Sequence, residues 1–258
     1  MPRVNDLTRV RAMLDRDRTW AAYAIGDLAP DLVINCEWHA PADGTPALVM
    51  LYRGFDPPIA FAMGDAGALA GLFRELDAPT ISLHVQPHAL DALTISFAPT
   101  FTRQMVRMRL LPPAFRPAEH DDVRPIADGD LAALTALYDD GHARGEGPAF
   151  FTPAMVAQGT FQGVWEGDAL VAVAGTHLYS PTLGVCTIGN VYTRSDRRGR
   201  GLAARVTTAV VARALADRIP TVVLNVGRAN TAAQRVYERL GFDVYCEFLE
   251  GEALKIES

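Results

Sequence analysis

The segment Gly189-Asn-Val-Tyr-Thr-Arg-Ser-Asp-Arg-Arg-Gly-Arg-Gly-Leu-Ala-Ala204 joins a β-branched strand end, an arginine-rich polar turn and a glycine-opened helix. That order makes an anion cradle. The first turn of a helix presents unpaired N–H groups and a partial positive charge. Glycines allow the backbone to approach the bound group closely. Arg194, Arg197, Arg198 and Arg200 add cationic charge to the same turn.

A second segment follows, Asn225-Val-Gly-Arg-Ala-Asn-Thr-Ala-Ala-Gln-Arg-Val-Tyr-Glu-Arg-Leu-Gly-Phe242. Ala233, Val236, Tyr237 and Leu240 recur at helical spacing. Asn230 stands where an N-cap belongs and Gly241 where the helix ends. Asn230 and Tyr237 are two turns apart on nearly one face, ~10 Å along the axis, and could meet two parts of one extended ligand. Taken singly, Asn230 reads as a cap and Tyr237 as a core tyrosine.

Outward from these segments, strands are expected at Gly163–Glu166, Ala169–Leu178, Val185–Thr193 and Thr221–Val226, and helices at Gly129–Tyr138, Arg200–Ala216 and Thr231–Leu240. Asp128 is the expected N-cap of the first helix, and Asp139–Pro153 an irregular loop. Two last strands are expected, Phe242–Glu250 and Ala253–Ile256. Three prolines and lost periodicity mark a linker near Leu110–Asp122. Before it, helices are expected at Asp6–Asp15, Thr19–Asp27, Ala66–Leu76 and His88–Ile95. Strands are expected there at Leu32–Trp38, Leu48–Arg53, Ile59–Ala62, Thr80–Leu83 and Met105–Leu110. Both halves mix strands and helices, so the class is α/β (α+β).

The whole chain has 49% hydrophobic and 21% charged residues and a formal net charge of −6. An acidic chain argues against nucleic acid as a partner, and its local arginine cluster points to one small anion. No apolar run reaches membrane length, and the start lacks a signal core. Three scattered cysteines suit buried free thiols, with neither a disulfide framework nor a metal site. A cytoplasmic protein is expected, with a homodimer left open.

These residues resemble the GNAT superfamily of CoA-dependent N-acetyltransferases. Its Gln/Arg-x-x-Gly-x-Gly/Ala signature is matched by Arg198-Gly199-Arg200-Gly201-Leu202-Ala203. Its second element, a strand, an Asn at a helix start and a Tyr seven residues on, is matched by Val222–Val226, Asn230 and Tyr237. The resemblance covers about Val123–Ile256 and is only topological before that. It implies two GNAT-like domains, each a mixed, mostly antiparallel twisted sheet flanked by helices. Residues 1–115 would be a degenerate copy and 116–258 the catalytic domain.

The resemblance further implies acetyl-CoA as co-substrate, an amine acceptor and no metal. Val191, Tyr192 and Thr193 would pair with the pantetheine arm through backbone groups. Arg198, Gly199, Arg200, Gly201, Leu202, Ala203 and Ala204 would form the pyrophosphate cradle, and Asn230 would bond the pantetheine amide. Tyr237 would be the general acid. For the base, His177 is the first candidate, with His142, Glu146 and Glu247 behind it. Asn190 and Tyr192 could line the acceptor pocket. A non-catalytic acyl-CoA sensor is the alternative. A dinucleotide site fits Gly199–Ala204 literally, but few residues follow Thr221–Val226 and no acid ends that strand. A P-loop is excluded, because no Gly-Lys-Ser/Thr follows the glycines.

Overall fold

The computed structural model describes residues 3–148 and 150–256. The chain divides into two compact units. The first holds Met1–Arg107, Val226–Ala229 and Val244–Ser258, and the second Met108–Asn225 and Asn230–Asp243. The division does not follow the chain, since the first unit also takes the C-terminal residues.

In the first unit, helices α1 (Leu7–Leu14) and α2 (Ala22–Gly26) precede strands β1 (Cys36–His39), β2 (Ala47–Tyr52) and β3 (Ile59–Gly64). Helix α3 (Ala66–Arg74), strand β4 (Thr80–Val85), helix α4 (Pro87–Leu93) and strand β5 (Phe97–Leu110, whose last three residues belong to the second unit) follow. β1–β2 and β2–β3 are antiparallel, and β3–β4 is parallel across the α3 crossover. β2 is buried throughout, as its unbroken apolar run requires. Its residues pack with Leu69, Leu72 and Phe73 of α3 and with Phe97. Each such fully buried side chain contributes about 1.5–3 kcal/mol. Arg107 is buried in the same unit, its guanidinium 4.6 Å from the Trp20 ring and 4.9 Å from that of Tyr23. Burial pushes its pKa down.

The second unit holds β6 (Val123–Pro125), α5 (Leu131–His142), β7 (Gln162–Glu166), β8 (Ala169–Ser180), β9 (Val185–Thr193), α6 (Leu202–Ala216), β10 (Thr221–Gly227, to Asn225 in this unit) and α7 (Thr231–Arg239). β6–β7, β7–β8 and β8–β9 are antiparallel. β9–β10 is parallel across α6. Leu134, Leu137 and Tyr138 of α5 pack with Phe161, Val173 and Tyr192 to form its core. The last strand, β11 (Phe242–Lys255), begins in this unit and pairs antiparallel with β4 in the first. The fold is therefore α/β, with mostly antiparallel strands flanked by helices. No described helix is long and apolar enough to cross a membrane.

Several elements differ from the expectation. β5 has fourteen residues where only 105–110 were expected, because the polar run Thr100–Gln104 hides a strand that needs no second buried face. β11 runs unbroken through Gly251, so the two expected end strands are one. Leu32–Trp38 opens with a 3₁₀ turn at Val33–Asn35. Asp128 starts a 3₁₀ turn instead of capping a helix, and the Asp130 carboxylate accepts from the Ala127 amide at 3.0 Å. α5 continues to His142, four residues past the expected end.

Candidate active site

β9 positions the site. Its ladder with β10 runs from Val185↔Thr221 to Ile188↔Leu224 and stops there, while β9 itself continues to Thr193. From Gly189 onward its backbone no longer pairs with β10. Backbone groups freed in this way need other partners, and an extended ligand arm can provide them in strand-like fashion.

On its other side, β9 carries a bulge. Val173 faces Tyr192 and Gly175 faces Gly189, so Asn190 and Val191 stand opposite Ala174 alone. Asn190 takes a positive φ of 55°, uncommon for any residue but glycine. The Tyr138 hydroxyl donates to its carbonyl at 2.8 Å. The Asn190 amide nitrogen donates to Met155 Sδ at 3.5 Å, while its buried Oδ1 has no partner among the described residues. Tyr192 turns its side chain into the core, and its hydroxyl donates to Asp140 at 2.9 Å. Only its backbone is thus available to a ligand.

After β9 come a 3₁₀ turn at Ser195–Arg197 and then the glycines. Gly199 and Gly201 have φ of 79° and 75°, and a Cβ on either would meet nothing within 4 Å. Positive φ, not crowding, therefore selects glycine there. Gly201 is the N-cap of α6 and supplies no capping side chain. The helix start stays unfilled, an arrangement suited to an anion. The arginines are less available than the sequence suggests. Arg194 pairs with Asp196 at 2.7 Å, Arg197 with Glu166 and Asp196 at 2.6 Å, and Arg200 with Glu166 at 3.2 Å. Arg198 pairs with Glu146, and its Nε donates to the Thr193 carbonyl at 3.3 Å. Hydrogen bonds from Arg198, Arg197 and Arg194 hold the carboxyls of Glu146, Glu166 and Asp196 below their ordinary range. Four guanidiniums against three carboxylates leave roughly one net positive charge, so the backbone N–H groups carry much of the positive field at this turn.

On α7, the Asn230 carboxamide oxygen accepts from the Ala233 amide at 3.1 Å. Asn230 is therefore a cap in fact, with its side-chain NH₂ left as a donor. Tyr237 is buried at 7% exposure, edge-on to Phe242 at 6.1 Å. Its hydroxyl forms no hydrogen bond among the described residues. Burial pushes its pKa up to about 12.

Residues 125–242 match the Acetyltransferase (GNAT) family. This segment is a domain of the GNAT superfamily. The chemistry of that family is acyl transfer. Solved structures resemble the GNAT fold of this chain over nearly its full length. A GNAT-family protein from Novosphingobium aromaticivorans is 22% identical, with 92% of this chain and 97% of that one covered and a TM-score of 0.62. A GNAT-family acetyltransferase from Colwellia psychrerythraea is 14% identical, with 99% of both chains covered and a TM-score of 0.59. A GCN5-related N-acetyltransferase from Kribbella flavida is 16% identical, with 92% and 96% covered and a TM-score of 0.58. At such identities the likeness is one of fold. No curated protein matches the sequence.

Within this GNAT domain the base candidates separate. His177 is the extra residue of a second bulge, since Thr176 faces Ile188 and Leu178 faces Thr187. Its ring lies over Gly189, where a Cβ would come within 2.4 Å of it. His177 therefore lies directly against the β9 bulge. Glu146 is engaged with Arg198. His142 ends α5 and packs over Gly147. Glu247 belongs to the first unit, where it pairs with Arg228 at 2.9 Å. Sequence reasoning missed the Tyr138–Asn190 bond and the carboxylates that neutralise the arginines. The Gly189-Asn190 pair inside a strand was a legible bulge signal; the ion pairs to Glu166 and Glu146 had none, because those partners are 31 to 52 residues away, whereas Asp196 stands in the turn itself.

Proposed function

We propose that this GNAT protein is an N-acetyltransferase that moves an acetyl group from acetyl-CoA to a primary amine in a ternary complex. The observation that carries the reading is the N-terminus of α6, without a side-chain cap, which follows across the glycine turn a strand whose backbone has parted from its neighbour. The N–H groups of Gly199 to Ala204 would hold the pyrophosphate. The backbones of Val191 and Thr193 would pair with the pantetheine arm, and the Asn230 side-chain NH₂ would bond one of its amide oxygens. The amine attacks the thioester carbonyl, the C–S bond breaks, and Tyr237 gives its proton to the departing sulfur. A phenol held protonated by burial suits that role. His177, beside the bulge, would take the proton lost by the nitrogen. No metal enters this scheme.

On the same reading, residues 1–115 are a degenerate GNAT-like copy and the protein works in the cytoplasm. The test is acetyl-CoA titration by calorimetry, joined to free-thiol release with a panel of amines. Binding with amine-dependent thiol release supports transfer. Binding with no release for any amine supports a sensor, and no binding refutes both.

A further inference from the structure

We propose that Asn190 binds the acceptor, and that the acceptor is a primary amine on an aromatic or other apolar body. This rests on the acetyl-transfer reading above. Asn190 is 5% exposed, yet its Oδ1 has no hydrogen-bond partner among the described residues. A buried acceptor without a donor is costly, and cores avoid it. The left-handed backbone of the residue adds to that cost. Two local penalties on one side chain, at the bulge where β9 parts from β10, are accounted for if a ligand donor completes the group.

The surroundings indicate what carries that donor. Met155 touches the Asn190 amide nitrogen, and the Tyr138 hydroxyl holds its carbonyl. His177 covers the neighbouring Gly189, and the Phe150 ring stands 6.3 Å from His177. Phe151 lies edge-on to Tyr138 at 5.0 Å. None of these five neighbours is a carboxylate or a guanidinium. A second charge on the acceptor would find no counterion among them, whereas a ring or alkyl body meets aromatic and thioether surface. The amine donates one N–H to Oδ1, which fixes its lone pair toward the thioester. The nitrogen forms the new C–N bond and loses a proton, the C–S bond breaks, and the sulfur gains a proton. The products are an amide and free CoA thiol. The carboxamide of Asn190 neither gives nor takes a proton, so its part is to hold the amine.

The test compares phenethylamine and hexylamine with glycine, lysine and spermidine, using acetyl-CoA and thiol release. The apolar amines are expected to show kcat/KM at least ~10-fold higher. Asn190→Gly accepts the positive φ and removes the carboxamide. It is expected to raise KM for phenethylamine ~10-fold while acetyl-CoA affinity in calorimetry stays unchanged. Asn190→Asp, nearly isosteric, places a negative charge on the amine and favours its ammonium form. The rising limb of its kcat profile, which titrates the bound amine, should move about one pH unit upward. A preference for glycine, lysine or spermidine overturns the proposal. So does an unmoved pH limb in Asn190→Asp, whatever the folding of the glycine variant. Failure of the unaltered protein to bind acetyl-CoA would instead remove the transfer reading itself.

Discussion

Each unit has one parallel strand pair joined through a helix, and the two joints are built differently. In the second unit β9 ends at Thr193 and α6 starts at Leu202, with two left-handed glycines between and no side chain capping the helix. In the first unit β3 ends at Gly64 and α3 starts at Ala66, with Asp65 alone between. The Asp65 carboxylate accepts from the Ala68 amide at 2.9 Å. A Cβ on Gly64 would lie 2.1 Å from the Pro46 carbonyl, so the turn is packed against its own backbone. Both joints face the same problem of orphan N–H groups. One solves it with its own carboxylate. The other has no side chain in that place. The difference teaches that a βαβ crossover can close its helix start with a side chain, as at Asp65, or leave it uncapped behind a long glycine turn, and that only the second geometry suits the proposed anion.

The comparison can be broken most severely at Ala203, half-buried in the first turn of α6. Ala203→Glu adds bulk and a like charge where a pyrophosphate would lie, and should remove at least two charge-assisted hydrogen bonds. Acetyl-CoA affinity should fall ~10³-fold in calorimetry, with the circular dichroism spectrum unchanged. Affinity like that of the unaltered protein would return the open helix start to mere geometry.

Next in size is Tyr237→Phe. The ring and its packing on Phe242 remain, and only an unbonded hydroxyl is lost. Single-turnover acetyl transfer should slow by ~10²–10³-fold, with acetyl-CoA affinity and the melting temperature nearly unchanged. Unaltered turnover would leave the leaving-group acid unassigned.

Asp65→Ala sharpens the other side. Loss of the α3 cap should cost ~1 kcal/mol in denaturant unfolding. Acetyl-CoA binding should stay at one per chain with the same affinity. A second binding event in that variant would show that only the carboxylate had kept the first joint closed.

The smallest effect expected is on pH. The phenol of Tyr237 is raised by burial from about 10 to about 12. It therefore remains a proton donor throughout the range in which an amine of pKa ~10.4 loses its proton. Its neutral form is favoured by folding, so this contribution to stability is complete below pH ~10 and fades as pH rises toward 12. The kcat profile of the unaltered protein should rise with pH and show no fall below pH ~10. A falling limb with a midpoint near 8 would point to another acid.

The glycine turn was legible because its determinants are local. Gly199, Gly201 and the helix behind them follow from backbone sterics over a few residues. The same holds for the Asn230 cap and the apolar face that buries Tyr237. Segments whose partners lie far along the chain were not legible. β5 looked too polar at Thr100–Gln104 to be one strand. The Tyr138–Asn190 bond spans 52 residues, and Arg198 meets a glutamate equally distant. By itself the sequence determined the α/β class, the glycine turn and the helix it opens, since periodicity and φ preference act within single elements. Only the tertiary structure decided that β9 leaves β10 after Ile188, that the arginines are largely neutralised, and that Asn190 is buried with an unmet oxygen. Ladder register, ion pairing and burial depend on residues that meet only when the chain has folded.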